Sequence, residues 1–270
     1  MSWSIAAARE AGGLAGLQTL VEGVFGAGDR PAGWFGRKLA RECLDDALTR
    51  VAFVGDDPAD PRAWIGFVLA GRPPSRRPAV RAAGVGVLAA WRRRGVAAAL
   101  LDSLAAASVD LGATAIEVAA SPGALPLYRA CGFVDVQATT TLLAFGRGAH
   151  SPSSPPTPWD TPRQPLELHG YLQEAWERTP DAERTTLAWP ELAVTHHVCR
   201  EGRAFAVHRT VTASTGAHAL DAAFDHLLER LPDGAPVLAL AVPLVSSITG
   251  SLRSAGWVDV QYAAIVRRPL

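Results

Sequence analysis

Residues 87–97, VLAAWRRRGVA, form the segment best suited to holding an anion. An apolar run through Val87 and Leu88 gives way to Ala89, then to three consecutive arginines, Arg92, Arg93 and Arg94. Gly95, Val96 and Ala97 then open an alanine-rich helical stretch. A helix start carries unpaired N–H groups and the positive end of the helix dipole, so it suits a phosphate. Gly95 lets the backbone approach such a group with no Cβ in the way, and Ala97 keeps the next turn open. The arginines add charge-assisted donors. The same residues also describe a solvated corner before a helix, and spacing alone does not separate the two readings.

A second group, His196, His197, Cys199 and His208, flanks a turn at Glu201-Gly202. A hairpin there puts His197 and Cys199 on one face with His208 nearby. The spacing fits no closed zinc pattern, so these side chains are expected to pack and no metal is expected. Cys43, Cys131 and Cys199 are too few and too scattered for a disulfide framework. Residues 72–81, RPPSRRPAVR, read as a basic, proline-rich loop. No GxxxxGK[ST] phosphate loop occurs, which argues against a mononucleotide-binding protein.

The elements that must position these residues alternate in type. Residues 14–25 and 37–48 are helical in pattern, and strands at 51–54 and 64–70 flank a turn-rich DDPADPR. A strand at 84–88 leads into a helix at 96–111, with Val96, Leu100, Leu101 and Leu104 on one face and Gly112 as its cap. A strand at 115–119 and a short helix near 127–130 follow. Pro126 removes an N–H and biases Leu125 away from helix, so that short helix is expected to start late.

The chain then repeats itself. Residues 131–137, CGFVDVQ, and 255–261, AGWVDVQ, lie 124 positions apart, each after a helix-like stretch and before a second apolar strand (141–145 and 263–266). At the same offset of 124, Val96, Leu100 and Leu104 fall on Leu220, Phe224 and Leu228. Between the copies, residues 147–165, RGAHSPSSPPTPWDTPRQP, carry prolines and serines that exclude regular structure. The expected organisation is a domain at 1–146, a linker at 147–165 and a second domain at 166–270. Lys+Arg and Asp+Glu balance at 26 each, so bulk charge points to neither nucleic acid nor a membrane. Lys38 is the only lysine in an otherwise arginine-based set of cations. No signal peptide or spanning segment is read, and a soluble cytoplasmic protein is expected.

With these elements in order, the chain resembles the GNAT acyltransferase family. GNAT proteins bind the CoA pyrophosphate through [RQ]xxGx[GA] at a strand-to-helix junction, and Arg92, Gly95 and Ala97 match it. Val87 and Trp91 fit the Vx-Pro-x-aromatic pattern that precedes it, with Ala89 in the proline's place. Residues 121–133, SPGALPLYRACGF, are similar to the family's NxxAxxLYxxxGF. Ala124, Leu127, Tyr128, Gly132 and Phe133 match, and Ser121 replaces the Asn. The resemblance covers residues 14–145 and, more weakly, 166–270.

It implies a mixed α/β fold of two tandem GNAT-like domains. Acetyl-CoA is then the acyl-donor co-substrate, held by Val87, Leu88, Ala89, Arg92, Arg93, Arg94, Gly95, Val96 and Ala97 with Ser121, Ala124 and Tyr128. Tyr128 inherits the family's general acid, which protonates the leaving thiolate. Glu117 resembles the glutamate of the LEV pattern that serves as base in related N-acetyltransferases. It stands one residue closer to Tyr128 than in those enzymes, and a one-residue shift turns a strand side chain to the other face. The loop 26–37, with Asp29, Trp34 and Phe35, falls where the family meets its acceptor, a primary amine on a small molecule or peptide. Residues 72–81 could also reach a CoA phosphate or an acidic acceptor.

The implied activity is N-acyl transfer by a monomer or homodimer. The alternative is a catalytically silent acyl-CoA-binding or scaffold protein. In the second copy Arg92, Gly95, Ala97 and Tyr128 fall on Gly216, Ala219, Asp221 and Leu252, so only the first copy is expected to bind CoA.

Overall fold

The computed structural model describes residues 2–26, 28, 30, 32–73, 78–148, 176–212 and 217–270, which form a mixed α/β chain of two compact units. Unit 1 comprises Met1–Val136 and Ala264–Leu270, and unit 2 comprises Gln137–Ala263. Asp29, Arg76, Arg77, Ser214, Thr215, Gly216, all but the first two residues of the linker and the first ten of the expected second domain lie outside the described residues.

Unit 1 begins with β1 (Trp3–Ala7), a strand that periodicity missed, followed by α1 (Gln18–Phe25) and α2 (Trp34–Arg41). The second helix does not continue to residue 48. The Asp45 carboxylate accepts the N–H groups of Ala47 and Leu48, offering the backbone a turn in place of a helix. Next come β2 (Arg50–Val54), β3 (Trp64–Gly71) and β4 (Ala79–Val87). β4 starts five residues earlier than periodicity placed it, so Arg81 lies in a strand and not in a loop. α3 (Val96–Asp110), β5 (Ala115–Ala120) and α4 (Leu125–Ala130) complete the first copy. Leu100, Leu101 and Leu104 of α3 are fully buried, as the helical stripe requires, and the chain leaves the helix through Gly112 at φ 72°. The helices sort the unit into two cores. α3 and α4 share one with Ile116, Val118 and Ala120 of β5; Val21 of α1 and Phe35 of α2 share the other with Phe67 and Leu69 of β3.

Unit 2 holds β7 (Arg184–Trp189), β8 (Val194–Glu201), β9 (Ala204–Thr212), α5 (Ala217–Arg230), β10 (Pro236–Pro243) and α6 (Ser247–Ser254). β7, β8 and β9 pair antiparallel, and β9 pairs parallel with β10.

The two VDVQ segments open β6 (Val134–Phe145) and β11 (Val258–Pro269), each a single strand of 12 residues and not two short ones. The repeat extends to detail. Gly132 and Gly256 turn at φ 81° and 82°, and Arg129 pairs with Asp135 as Arg253 pairs with Asp259. The repeated aspartate is thus the partner of an arginine in the last turn of the preceding helix.

Each unit is finished by a strand that begins in the other. β6 runs on to pair with β10 in unit 2, Thr139 to Phe145 against Pro243 to Pro236. The end of β11 pairs antiparallel with β5 in unit 1, Ala264 to Pro269 against Ala120 to Ala115. Val266 is buried in the α3/α4 core, and Arg268 reaches Asp102 of α3 at 2.8 Å. A chain ended at Ala263 would leave β5 as a bare edge with a gap in its core. Its unit 1 is expected to lose its cooperative melt. A truncated chain with the parent's melting midpoint would overturn this role for the last seven residues.

Candidate functional site

The site is framed by a fork in the sheet of unit 1. β4 and β5 run parallel and pair only at Ala79↔Ala115, Val80↔Ile116 and Arg81↔Glu117. Beyond Arg81, β4 keeps β3 as its partner up to Val87, and β5 has β11 on its other side. The facing edges of β4 and β5 are thereby left with backbone donors and acceptors that an extended, amide-bearing ligand can satisfy. α1 lies against β4 here: a Cβ on Gly86 would come within 2.6 Å of Val24 and 2.8 Å of Phe67, so this position requires glycine.

At the open end of the fork, β4 leads through a 3-10 turn (Ala89–Trp91) into the arginine segment and α3. Arg92 folds back, its Nε donating to the Val87 carbonyl at 3.0 Å. The Arg94 guanidinium sits over the Trp91 ring at 5.0 Å, and Arg93 is exposed. Arg93 and Gly95 both have left-handed backbones, at φ 62° and 80°. Left-handed residues in a turn are the pattern that gathers N–H groups around an anion, and a non-glycine there is uncommon. The Gly95 carbonyl accepts from Ala99 at 3.0 Å, so the N–H groups of the first turn precede the helix's own bonding. A Cβ placed on Gly95 would meet no atom of the chain within 4 Å. The glycine therefore borders open space, not a packed neighbour, and a pyrophosphate fits the residues present.

α4 brings Tyr128 into the core that Val96, at the start of α3, also enters. Ser121 precedes a 3-10 turn (Pro122–Ala124) that runs directly into α4. Leu125 is helical despite the proline after it, and α4 starts there and not late. Pro126 occupies the first turn, where its missing N–H has no partner to lose. Val87, Val96 and Tyr128 belong to one core cluster, with Trp91, Ala97 and Ala124 packed against it. The Tyr128 ring meets Phe133 edge-on at 5.3 Å, and burial pushes its phenol up to about 12, with Cys131 adding to the shift. At neutral pH the hydroxyl is protonated, as a proton donor must be.

Glu117 sits apart from this convergence. Ile116, Val118 and Ala120 point into the core that holds Tyr128, so Glu117, between them, faces the other side of the sheet. There Arg267, its cross-strand neighbour on β11, grips the Oε1 oxygen through both Nε, at 2.8 Å, and Nη2. No motif pointed to Arg267, which arrives from 150 residues away.

In unit 2 the histidines face packing partners. His196 Nδ1 lies 2.9 Å from the Thr210 hydroxyl, and burial lowers its pKa to about 3. His197 stands edge-on to Trp176 at 4.3 Å, with its pKa lowered to about 4, chiefly by burial. Cys199 Sγ lies 3.5 Å from the Thr179 hydroxyl. Among the described residues no helix is long and apolar enough to cross a membrane.

Residues 38–133 match the profile of the acetyltransferase (GNAT) family. The whole chain is similar in fold to a putative acetyltransferase from Pyrococcus horikoshii, with a TM-score of 0.64, 13% identity and coverage of 99% of this chain and 89% of that one. A tandem GNAT protein from the clavulanic acid biosynthesis pathway aligns with a TM-score of 0.59 and 15% identity, over 99% of this chain and 98% of that one. A GCN5-related N-acetyltransferase from Sphaerobacter thermophilus gives 0.59 and 12%, over 99% and 95%. Comparison with curated protein sequences gives no match. Within the first unit, residues 38–133 thus match a GNAT acetyltransferase domain. Along its full length the chain is similar in fold to a tandem GNAT protein, and the domain match supports acyl transfer in general.

Proposed function

We propose that unit 1 moves an acetyl group from acetyl-CoA to a primary amine by direct attack within a ternary complex. The observation that carries this reading is that the helix following a turn suited to a pyrophosphate shares one core with a buried, protonated tyrosine, beside strands β4 and β5 that part after Arg81. The Arg92–Ala97 turn holds the pyrophosphate, and the facing edges of β4 and β5 hold the amide-bearing arm. The amine nitrogen attacks the thioester carbonyl carbon, the C–N bond forms and the C–S bond breaks. Tyr128 gives its proton to the departing sulfur and recovers one from solvent. The proton lost by the amine passes to water. Glu117 faces away from Tyr128 and is committed to Arg267, so in this reading it ties β5 to β11.

That commitment also favours a second reading, a protein that binds acetyl-CoA without turnover. Thiol release from acetyl-CoA across a panel of small amines and peptide N-termini separates the two. Release with at least one acceptor is expected, and tight binding with release to none would leave the silent reading.

Unit 2 is proposed as structural. Ala219 and Asp221 lie in the first turns of α5 where unit 1 has Gly95 and Ala97, and buried Leu252 stands where unit 1 has Tyr128. An aspartate near a helix start occupies the dipole itself and repels a pyrophosphate. Titration is expected to give one acetyl-CoA per chain; two equivalent sites would overturn this assignment.

A further inference from the structure

We propose that Lys38 is a positioning residue for acyl transfer, acting through its hydrogen bond to the Ala83 carbonyl at a bulge in β4. The inference rests on the reading above, in which the fork between β4 and β5 receives the acyl-CoA arm.

The bulge is visible in the register. Leu69 faces Gly84 and Ala70 faces Ala82, so Ala83 is the extra residue, with no partner on β3. An extra residue in a strand leaves its backbone groups outside the ladder, and a half-buried carbonyl there is stabilised by a donor from elsewhere. Lys38 supplies it from α2, with Nζ 3.0 Å from the Ala83 oxygen. One helical turn on, Glu42 lies 3.8 Å from the same ammonium and receives the Arg81 guanidinium at 2.9 Å.

These two contacts straddle the fork. Arg81 is the last residue of β4 that pairs with β5, and Ala83 is two residues beyond it. One face of α2 therefore fixes β4 on both sides of the point where it leaves β5. The bulge sets how far β4 bends away, and so sets the spacing of the two edges that must grip the arm and present its carbonyl.

The side chain is chemically apt. The ammonium is compact, with three rotatable donors on a flexible stem, which suits a carbonyl and a carboxylate lying in different directions. A guanidinium presents a planar fork instead. Lys38 is the only lysine among 26 cationic residues, so the chain departs from arginine at this one place. Burial lowers its pKa, Glu42 opposes that shift, and Arg81, Arg41 and Arg30 reinforce it.

The test compares Lys38→Met with the wild type in three measurements on the full chain. Amide hydrogen exchange across residues 82–87 should accelerate about tenfold or more, while α3 amides keep their rates. The dissociation constant for acetyl-CoA should stay within about threefold, because the pyrophosphate turn is untouched, while kcat falls more than about tenfold. Lys38→Arg, which keeps a cation and donors but presents them in a planar fork, should recover only part of the turnover. Lys38→Gln, whose shorter amide stops short of Ala83, is read in the same way if the methionine variant does not fold. Unchanged exchange at 82–87 overturns the clamp, and accelerated exchange with wild-type kcat overturns its role in transfer. A wild-type protein that transfers to no amine overturns the proposed function instead, and the exchange measurement still decides the clamp.

Discussion

Gly95→Asp is expected to weaken acetyl-CoA binding roughly ten- to a thousand-fold in a protein that still folds. The residue stands at φ 80°, a backbone that side chains rarely adopt, so the substitution strains the turn. Its Cβ would enter the open space at the start of α3, where no atom of the chain lies within 4 Å. The pyrophosphate would then meet a carbon and a negative charge in place of free N–H groups. Losing one or two charge-assisted hydrogen bonds at about 1.5–2 kcal/mol each sets the range given. Calorimetry at matched salt measures it, and circular dichroism checks the fold. An unchanged affinity in a folded variant would remove the pyrophosphate from this turn.

For a tested acceptor, Tyr128→Phe should lower kcat about a hundred- to ten-thousand-fold, the usual loss when a general acid is removed. Affinity for acetyl-CoA should barely move. The ring stays against Phe133 and keeps its place in the core, and the hydroxyl has no hydrogen-bond partner among the described residues to leave unpaired. The two variants thus divide the site, one acting on binding and the other on chemistry. Wild-type turnover in the phenylalanine variant would reduce Tyr128 to packing and leave water to protonate the thiolate.

Much of this site was legible from residue types at fixed spacing, because its parts are local. A helix start, a left-handed glycine and a tyrosine on the next helix each lie within a few residues of the features that define them. The two VDVQ copies likewise announced the repeat, and the arginine that pairs with each aspartate lies only six positions away. The local errors have local causes. β1 is too short to show a period, Asp45 ends a helix by hydrogen bonding that periodicity does not register, and Pro126 is harmless because it falls in a first turn.

The sequence by itself therefore determined the class of fold, the repeat and the residues that make up the candidate site. Tertiary structure alone decided what those residues work with. Glu117 resembles a family glutamate in sequence, and only the fold puts Arg267, from 150 residues away, opposite it on β11. The exchange of β6 and β11 is invisible in the repeat, since both strands open on the same VDVQ whichever unit they complete. The fork is a property of register, set where β4 and β5 stop pairing, and hydrophobic pattern does not encode where two strands part. Lys38 stood out only as a lone lysine, and the bulge 45 residues further on gave it a partner. Period and propensity act over a few residues, whereas pairing, register and burial are settled between residues that only the folded chain brings together.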